Sequence, residues 1–174
     1  MNFKHHAQFF TATILEWKLL LQNDNYKDII IESMRFLVAD KRVTIFSFVI
    51  MPNHLHIIWQ INDRYEVHQV QQSFLKYTAQ QIKFDLQKNN PKLLEEFRVD
   101  TADRQYQFWE RNPLSVDLFS EKVFDQKFDY IHNNPLQEKW KLAEYPEEYK
   151  YSSAKFYFSG VDEFGFVTHY MGDE

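Results

Sequence analysis

The stretch that most limits the possible folds is Arg42–Ile61, RVTIFSFVIMPNHLHIIWQI. Two runs rich in β-branched and aromatic residues are separated only by Pro52 and Asn53. They predict two strands joined by a two-residue loop, and a loop that short forces them antiparallel. Side chains alternate along a strand, so His54 and His56 fall on one face of the second strand, and Leu55 and Ile57 on the other. A strand otherwise built from Leu, Ile and Trp therefore carries two imidazoles side by side.

The rest of the chain supplies elements to pack on this hairpin. Ala7–Leu21 is rich in β-branched and aromatic residues and predicts a strand, with a turn at Asn23–Asn25. Asn25–Lys41 has Ile29, Ile30, Met34, Leu37 and Val38 at helical spacing, with Asn25 as the N-cap. A longer helix is predicted over Glu66–Lys88, with Val70, Phe74, Tyr77, Ile82 and Leu86 as its apolar stripe. A fourth strand is expected around Tyr106–Arg111. A last strong helix starts at the cap Ser120, repeats Val123, Phe124, Phe128 and Ile131, and stops at Pro135. From about residue 141 the chain reads as a loop and short helix wrapping the surface. The order strand–helix–strand–strand–helix–strand–helix predicts an α+β fold, a ferredoxin-like split βαβ sandwich. Its sheet is antiparallel, with the helices mainly on one face, in a single domain over residues 1–174.

Composition removes several chemistries. The chain has no cysteine, which excludes disulfides, thiolate metal sites and a cysteine nucleophile. Its 3 glycines argue against a glycine-rich phosphate loop. No apolar run approaches the roughly 18 residues of a membrane span, and the first residues lack a signal-peptide core, so a soluble cytoplasmic protein is expected. The net charge of −5 means that nucleic-acid binding needs a local basic patch. Lys76, Lys83 and Arg104, with Lys88 and Lys92, are candidates for one, although a solvated helix face accounts for them equally well. Tyr77, Trp59 and Trp109 are candidate stacking platforms for unpaired bases, against a default of core packing.

Two imidazoles on one strand face suit a divalent ion, but a short H-x-H pattern also occurs as a solvated face or as hydrogen-bonded core histidines. A third donor exists in DYIHNNP. Tyr130 and Asn134 lie four apart and share a helix face, whereas His132 points about 200° away from Tyr130. Taken alone, this pair also reads as a buried tyrosine before an Asn-Pro helix stop. The two motifs gain meaning only if the fold brings them together.

VIMPNHLHIIW, FWER, DYIHNNP and EEYKYSSAKFY, in this order over Val43–Tyr157, resemble the single-tyrosine HUH transposases. The likeness is to the REP-associated tyrosine transposases and their insertion-sequence relatives in particular. The resemblance implies that His54, His56 and Asn134 ligate a divalent metal, Mg²⁺ or Mn²⁺, and that Tyr130 is the nucleophile. It further implies cleavage and strand transfer of single-stranded DNA at a hairpin through a 5′-phosphotyrosine, by a homodimer. Two departures stand out: no histidine follows FWER, and Glu110 occupies the usual glutamine position. Other readings are a domesticated, non-catalytic DNA-hairpin binding protein, a metal-dependent nuclease that uses water, and an α+β interaction module.

Overall fold

The structure, a computed structural model, describes residues 5–172. Six strands and five α-helices follow in chain order: β1 (Gln8–Thr13), α1 (Asp24–Ala39), β2 (Val43–Met51), β3 (His54–Ile61), α2 (Val67–Asn89), α3 (Pro91–Glu95), β4 (Arg98–Thr101), β5 (Arg104–Tyr106), β6 (Leu114–Asp117), α4 (Glu121–Asn133) and α5 (Ala154–Ser159). Four strands form one sheet in the order β2-β3-β1-β6, and every neighbouring pair is antiparallel. This is the split βαβ order, with the histidine strand in the middle.

The hairpin forms as its sequence dictates. Met51 pairs with His54 across the two-residue loop, and neither loop residue has positive φ. That suits a turn led by proline, whose ring fixes φ near −65°. The loop is tied down from outside: Leu21 N–H donates to Pro52 O at 2.9 Å and Ile14 N–H to Asn53 O at 2.8 Å.

Alternation sorts the sheet into two faces. Phe10, Leu55, Ile57 and Trp59 pack with Ile30 and Met34 of α1 and Phe74 and Ile82 of α2 in the larger core. Phe9, Val49, Met51 and Ile58 pack with Ile131 of α4 in a smaller core on the opposite face. His54 and His56 share the face of Ile58, so α4 covers the histidine side.

Several expected elements shift, each for a local reason. The first strand ends at Thr13 rather than Leu21, because Glu16 and Trp17 adopt φ of 55° and 58° and turn the chain away from the sheet. The N-cap of α1 is Asn23, whose side chain accepts from Asn25 N–H. The buried stripe of α2 runs through Thr78 rather than Tyr77, which is 51% exposed. Thr78 satisfies its hydroxyl by donating to Phe74 O at 2.9 Å. The fourth sheet strand is β6, not Tyr106–Arg111, of which only Trp109 bridges to Ile14. As an edge strand with all four residues exposed, β6 carries little apolar signal. The β4–β5 hairpin has no counterpart in the sequence reading. Of the α4 stripe, Ile131 alone is fully buried.

The C-terminal stretch straps the outer edge of β2. Tyr149 Oη donates to Ile50 O at 2.7 Å, Ile50 N–H donates to Tyr151 O at 2.9 Å, and Ser153 N–H donates to Phe48 O at 3.0 Å. Further along, Thr168 N–H donates to Ile45 O at 2.9 Å. An open strand edge is a template for unwanted pairing, and this strap occupies it.

Candidate active site

Central strand β3 places the histidines and α4 brings the other side chains over them. His54 and His56 are each 5% exposed, and their ring centroids lie 4.8 Å apart. Tyr130 stands 5.2 Å from the His56 ring and is 44% exposed. One turn on, Asn134 is buried at 1%, with its Oδ1 3.2 Å from His54 Nε2. The fold thus gathers within one chain all four residues singled out in the two motifs.

The partner of the His54 ring sets its tautomer. His54 Nδ1–H donates to Asn53 Oδ1 at 2.7 Å, and Asn53 Nδ2 in turn donates to Trp17 O at 3.2 Å. His54 Nε2 therefore presents a lone pair, and it faces Asn134 Oδ1, a second acceptor. His56 Nδ1 pairs with Thr11 Oγ1 at 2.7 Å, and its buried Nε2 has no partner. Burial pushes His54 down to about 4 despite its Asn134 contact. Burial and the neighbouring His54 push His56 down to about 3. Both rings are neutral at pH 7.

His54 Nε2 and Asn134 Oδ1 are two acceptors without a donor between them, and the partnerless His56 Nε2 lies on the same strand face, an arrangement that fits a cation. Two ligand atoms about 2.1 Å from an octahedral ion on adjacent corners are about 3.0 Å apart, close to the 3.2 Å separation of His54 Nε2 and Asn134 Oδ1. Among the described residues no group of three or more His, Asp or Glu could hold a metal ion; what this site offers a cation is two imidazoles and one amide.

Positive charge sits beside the tyrosine. Lys127, one turn before Tyr130, holds its ammonium 4.8 Å from the Phe9 ring and 5.9 Å from the Tyr130 ring. Phe9 stacks on His56 at 5.2 Å, which fixes the ring plane. The residues first considered as a basic patch lie elsewhere. Lys76 and Lys83 are on α2, on the opposite sheet face, with Lys83 over Tyr106 at 5.6 Å. Arg104 is paired to Asp103 at 2.8 Å. The aromatic candidates divide similarly: Trp59 and Trp109 are core residues, and only Tyr77 is exposed.

Trp17, absent from the sequence reading, lies at the rim 6.4 Å from the His54 ring and is 63% exposed. Glu16 and Trp17 are both left-handed, at a cost of roughly 1–2 kcal/mol per residue. Glu110 supports this turn by accepting from Glu16 N–H at 2.6 Å. The only advance signal for Trp17 was an aromatic residue where the strand pattern failed.

His132 has a different task. It is buried, with Nε2 2.8 Å from Ser153 Oγ and 3.2 Å from Ser47 Oγ, so it joins α4, β2 and the strap. Burial lowers it from 6.5 to about 4. The unfolded chain therefore takes up the proton first on acidification. Stability from this group is complete above about 6.5 and declines as pH falls towards 4. At pH 5 the expected loss is on the order of 2 kcal/mol, read by denaturant unfolding of the metal-free protein. His132→Gln should shrink that dependence by about this amount and leave the shares of the equally buried His54 and His56; an unchanged slope would remove His132 as a source.

A split βαβ sheet with this fold and a likeness to transposases defines the class: the chain is a DNA-transposing enzyme by family. It belongs to the IS200-like transposases, whose family model matches residues 3–134. Among solved structures it is similar to a REP-associated tyrosine transposase bound to a REP hairpin. That match has 17% identity and a TM-score of 0.64, and covers 100% of this chain and 94% of the other. A protein from Deinococcus radiodurans R1 described as a transposase matches with 12% identity and a TM-score of 0.49, covering 76% of this chain and 94% of that one. No curated protein matches. Among the described residues no helix is long and apolar enough to cross a membrane.

Proposed function

We propose that the chain cleaves and rejoins single-stranded DNA at a hairpin, with Tyr130 as nucleophile and His54, His56 and Asn134 holding a divalent cation, Mg²⁺ or Mn²⁺. The observation that carries the reading is the meeting of His54 Nε2, Asn134 Oδ1 and the orphaned His56 Nε2 beside an accessible tyrosine. The hairpin substrate is supported by the likeness to a transposase bound to one.

When bound, the cation polarises a phosphoryl oxygen and offsets its charge. The chain's own residues do the rest. Tyr130 Oη forms a bond to phosphorus while the bond from phosphorus to the 3′ oxygen breaks. The phenolic proton is lost and the departing 3′ oxygen gains one, which yields a 5′-phosphotyrosine and a free 3′-hydroxyl. The phosphodiester energy stays in the covalent link, so the reverse step joins strands without ATP. Lys127 places a positive charge near the phosphate, Asn53 holds His54 in the metal-binding tautomer, and Thr11 anchors the His56 ring through Nδ1.

Incubation with labelled hairpin DNA and Mn²⁺, followed by a denaturing gel, tests the reading. A covalent protein–DNA adduct is expected. Cleavage without an adduct would favour the water-using nuclease, and binding alone the non-catalytic descendant. Asn134→Ala should be the mildest of the site variants, because water can replace an amide oxygen. A fall in cleavage of about tenfold to a hundredfold is expected, smaller than for His56. An equal loss would give Asn134 a larger part.

The reading extends to a homodimer in the cytoplasm. The free edge of β6 offers a surface for a second copy, and light scattering should give about twice 21.3 kDa. A monomer mass would set the dimer aside without touching the chemistry.

A further inference from the structure

We infer that Trp17 is a stacking platform for an unpaired base of the DNA strand next to the phosphate at Tyr130. This rests on the DNA-cleavage reading of the site and adds a residue that holds a nucleotide there.

Three independent observations converge on Trp17. It leaves most of a large apolar ring in solvent, 63% exposed, while Trp59 and Trp109 are buried in the core. The ring lies 6.4 Å from His54, with its plane turned 67° to the imidazole, so it borders the candidate metal donors. Finally, its position is enforced by the backbone. Two successive non-glycine residues, Glu16 and Trp17, have positive φ, a conformation that persists only when the surroundings over-determine it.

The surroundings of the turn are hydrogen bonds from four sides. Trp17 N–H donates to Ile14 O at 2.9 Å, and Leu15 N–H donates to Phe108 O at 2.8 Å. Glu16 N–H donates to the Glu110 carboxylate. Trp17 O accepts from Asn53 Nδ2, and the same Asn53 orients His54 through Oδ1. One side chain therefore fixes both an imidazole of the site and the backbone under the indole. A turn held this rigidly, with its indole facing outward beside the site, buries nothing for the core. It does present a flat π-surface of the kind on which bases of any identity stack.

A nucleobase is the ligand that this arrangement favours. An unpaired base has two π-faces, and the phosphate to which it is attached would lie beside Tyr130, where Lys127 supplies positive charge.

The test uses the full-length protein with two probes of equal length, dT12 and a twelve-unit abasic deoxyribose-phosphate strand. The wild type should prefer dT12 by about fivefold to a hundredfold, the worth of one stacked base, and its indole emission should be quenched on binding. Trp17→Ala should bind both probes alike and lose that part of the quenching, with its melting temperature nearly unchanged because the ring is exposed. Trp17→Phe, which keeps an aromatic face, should retain most of the preference. Retention of the full wild-type preference by Trp17→Ala, or no preference in the wild type, overturns the inference. The two readings separate cleanly. An adduct formed by the wild type with no effect of Trp17→Ala removes the stacking role and leaves cleavage intact. A Trp17-dependent preference for dT12 without any adduct on hairpin DNA does the reverse.

Discussion

Tyr130→Phe should abolish both strand cleavage and the covalent protein–DNA adduct while leaving the fold unchanged. The substitution removes one hydroxyl and keeps the ring that packs edge-on against His56 at 5.2 Å and Phe9 at 6.3 Å. Among the described residues that hydroxyl has no hydrogen-bond partner, and the side chain is 44% exposed. The stability change should therefore stay within about 0.5 kcal/mol, the usual range for surface positions. The loss of activity should be complete in a gel assay, because no other group at the site forms a phosphotyrosine. An adduct that persists in Tyr130→Phe would name another tyrosine as nucleophile. Persistent cleavage without an adduct would move the attack to water.

His56→Ala should fail at an earlier stage. The tyrosine remains, but on the proposed reading a bound cation would lose a donor, the buried and unpartnered His56 Nε2. Cleavage is expected to fall by more than about a hundredfold, beyond the usual effect of removing an outer partner of a metal ligand. Excess Mn²⁺ should recover part of it. A second readout does not involve activity. At a Mn²⁺ concentration of about one hundred times Kd, binding stabilises the folded wild type by about 2.7 kcal/mol. For a chain of this size that raises Tm by roughly 5–11 °C. His56→Ala should show little of this rise at the same concentration, and Tyr130→Phe should show all of it. An equal rise in wild type and His56→Ala would remove His56 from the donor set.

These two variants act through residues that were legible in the sequence for simple geometric reasons. A strand has a period of two, so His54 and His56 had to share a face once Val43–Ile61 formed a hairpin. A helix brings residues four apart together, so Tyr130 and Asn134 had to travel as a pair. Sheet order then did what neither motif does alone: with β3 central and α4 on its histidine face, the pairs meet. Trp17 was hidden because its placement depends on two positive φ angles in a segment whose composition reads as strand. No residue type there announces the turn, since Glu and Trp are not the residues expected in a left-handed conformation. β6 was hidden for the opposite reason: an exposed edge strand has no buried face to write into its sequence. Thr78 was missed because its polar hydroxyl, which serves Trp109 Nε1 at 3.1 Å, disguised a strict four-residue stripe from Val70 to Leu86. The basic residues of α2 were readable as a charged face, but sequence alone did not tell which side of the sheet that face would occupy.

The strap along β2 has a consequence for how the protein is made. The portion matched by the family model ends at Asn134 and contains both histidines, the tyrosine and the amide. The residues that cover the β2 edge, from Tyr149 to Thr168, come later. A ribosome adding about 5–20 residues per second needs roughly two to eight seconds for the remaining stretch. During that interval the nascent chain has its site residues but an uncovered strand. Docking of the strap is a first-order event within one chain, whereas pairing of two uncovered edges is second order in nascent chains. Sparse translation is therefore expected to favour the strapped chain, and heavy overexpression to divert it into aggregates seeded at β2.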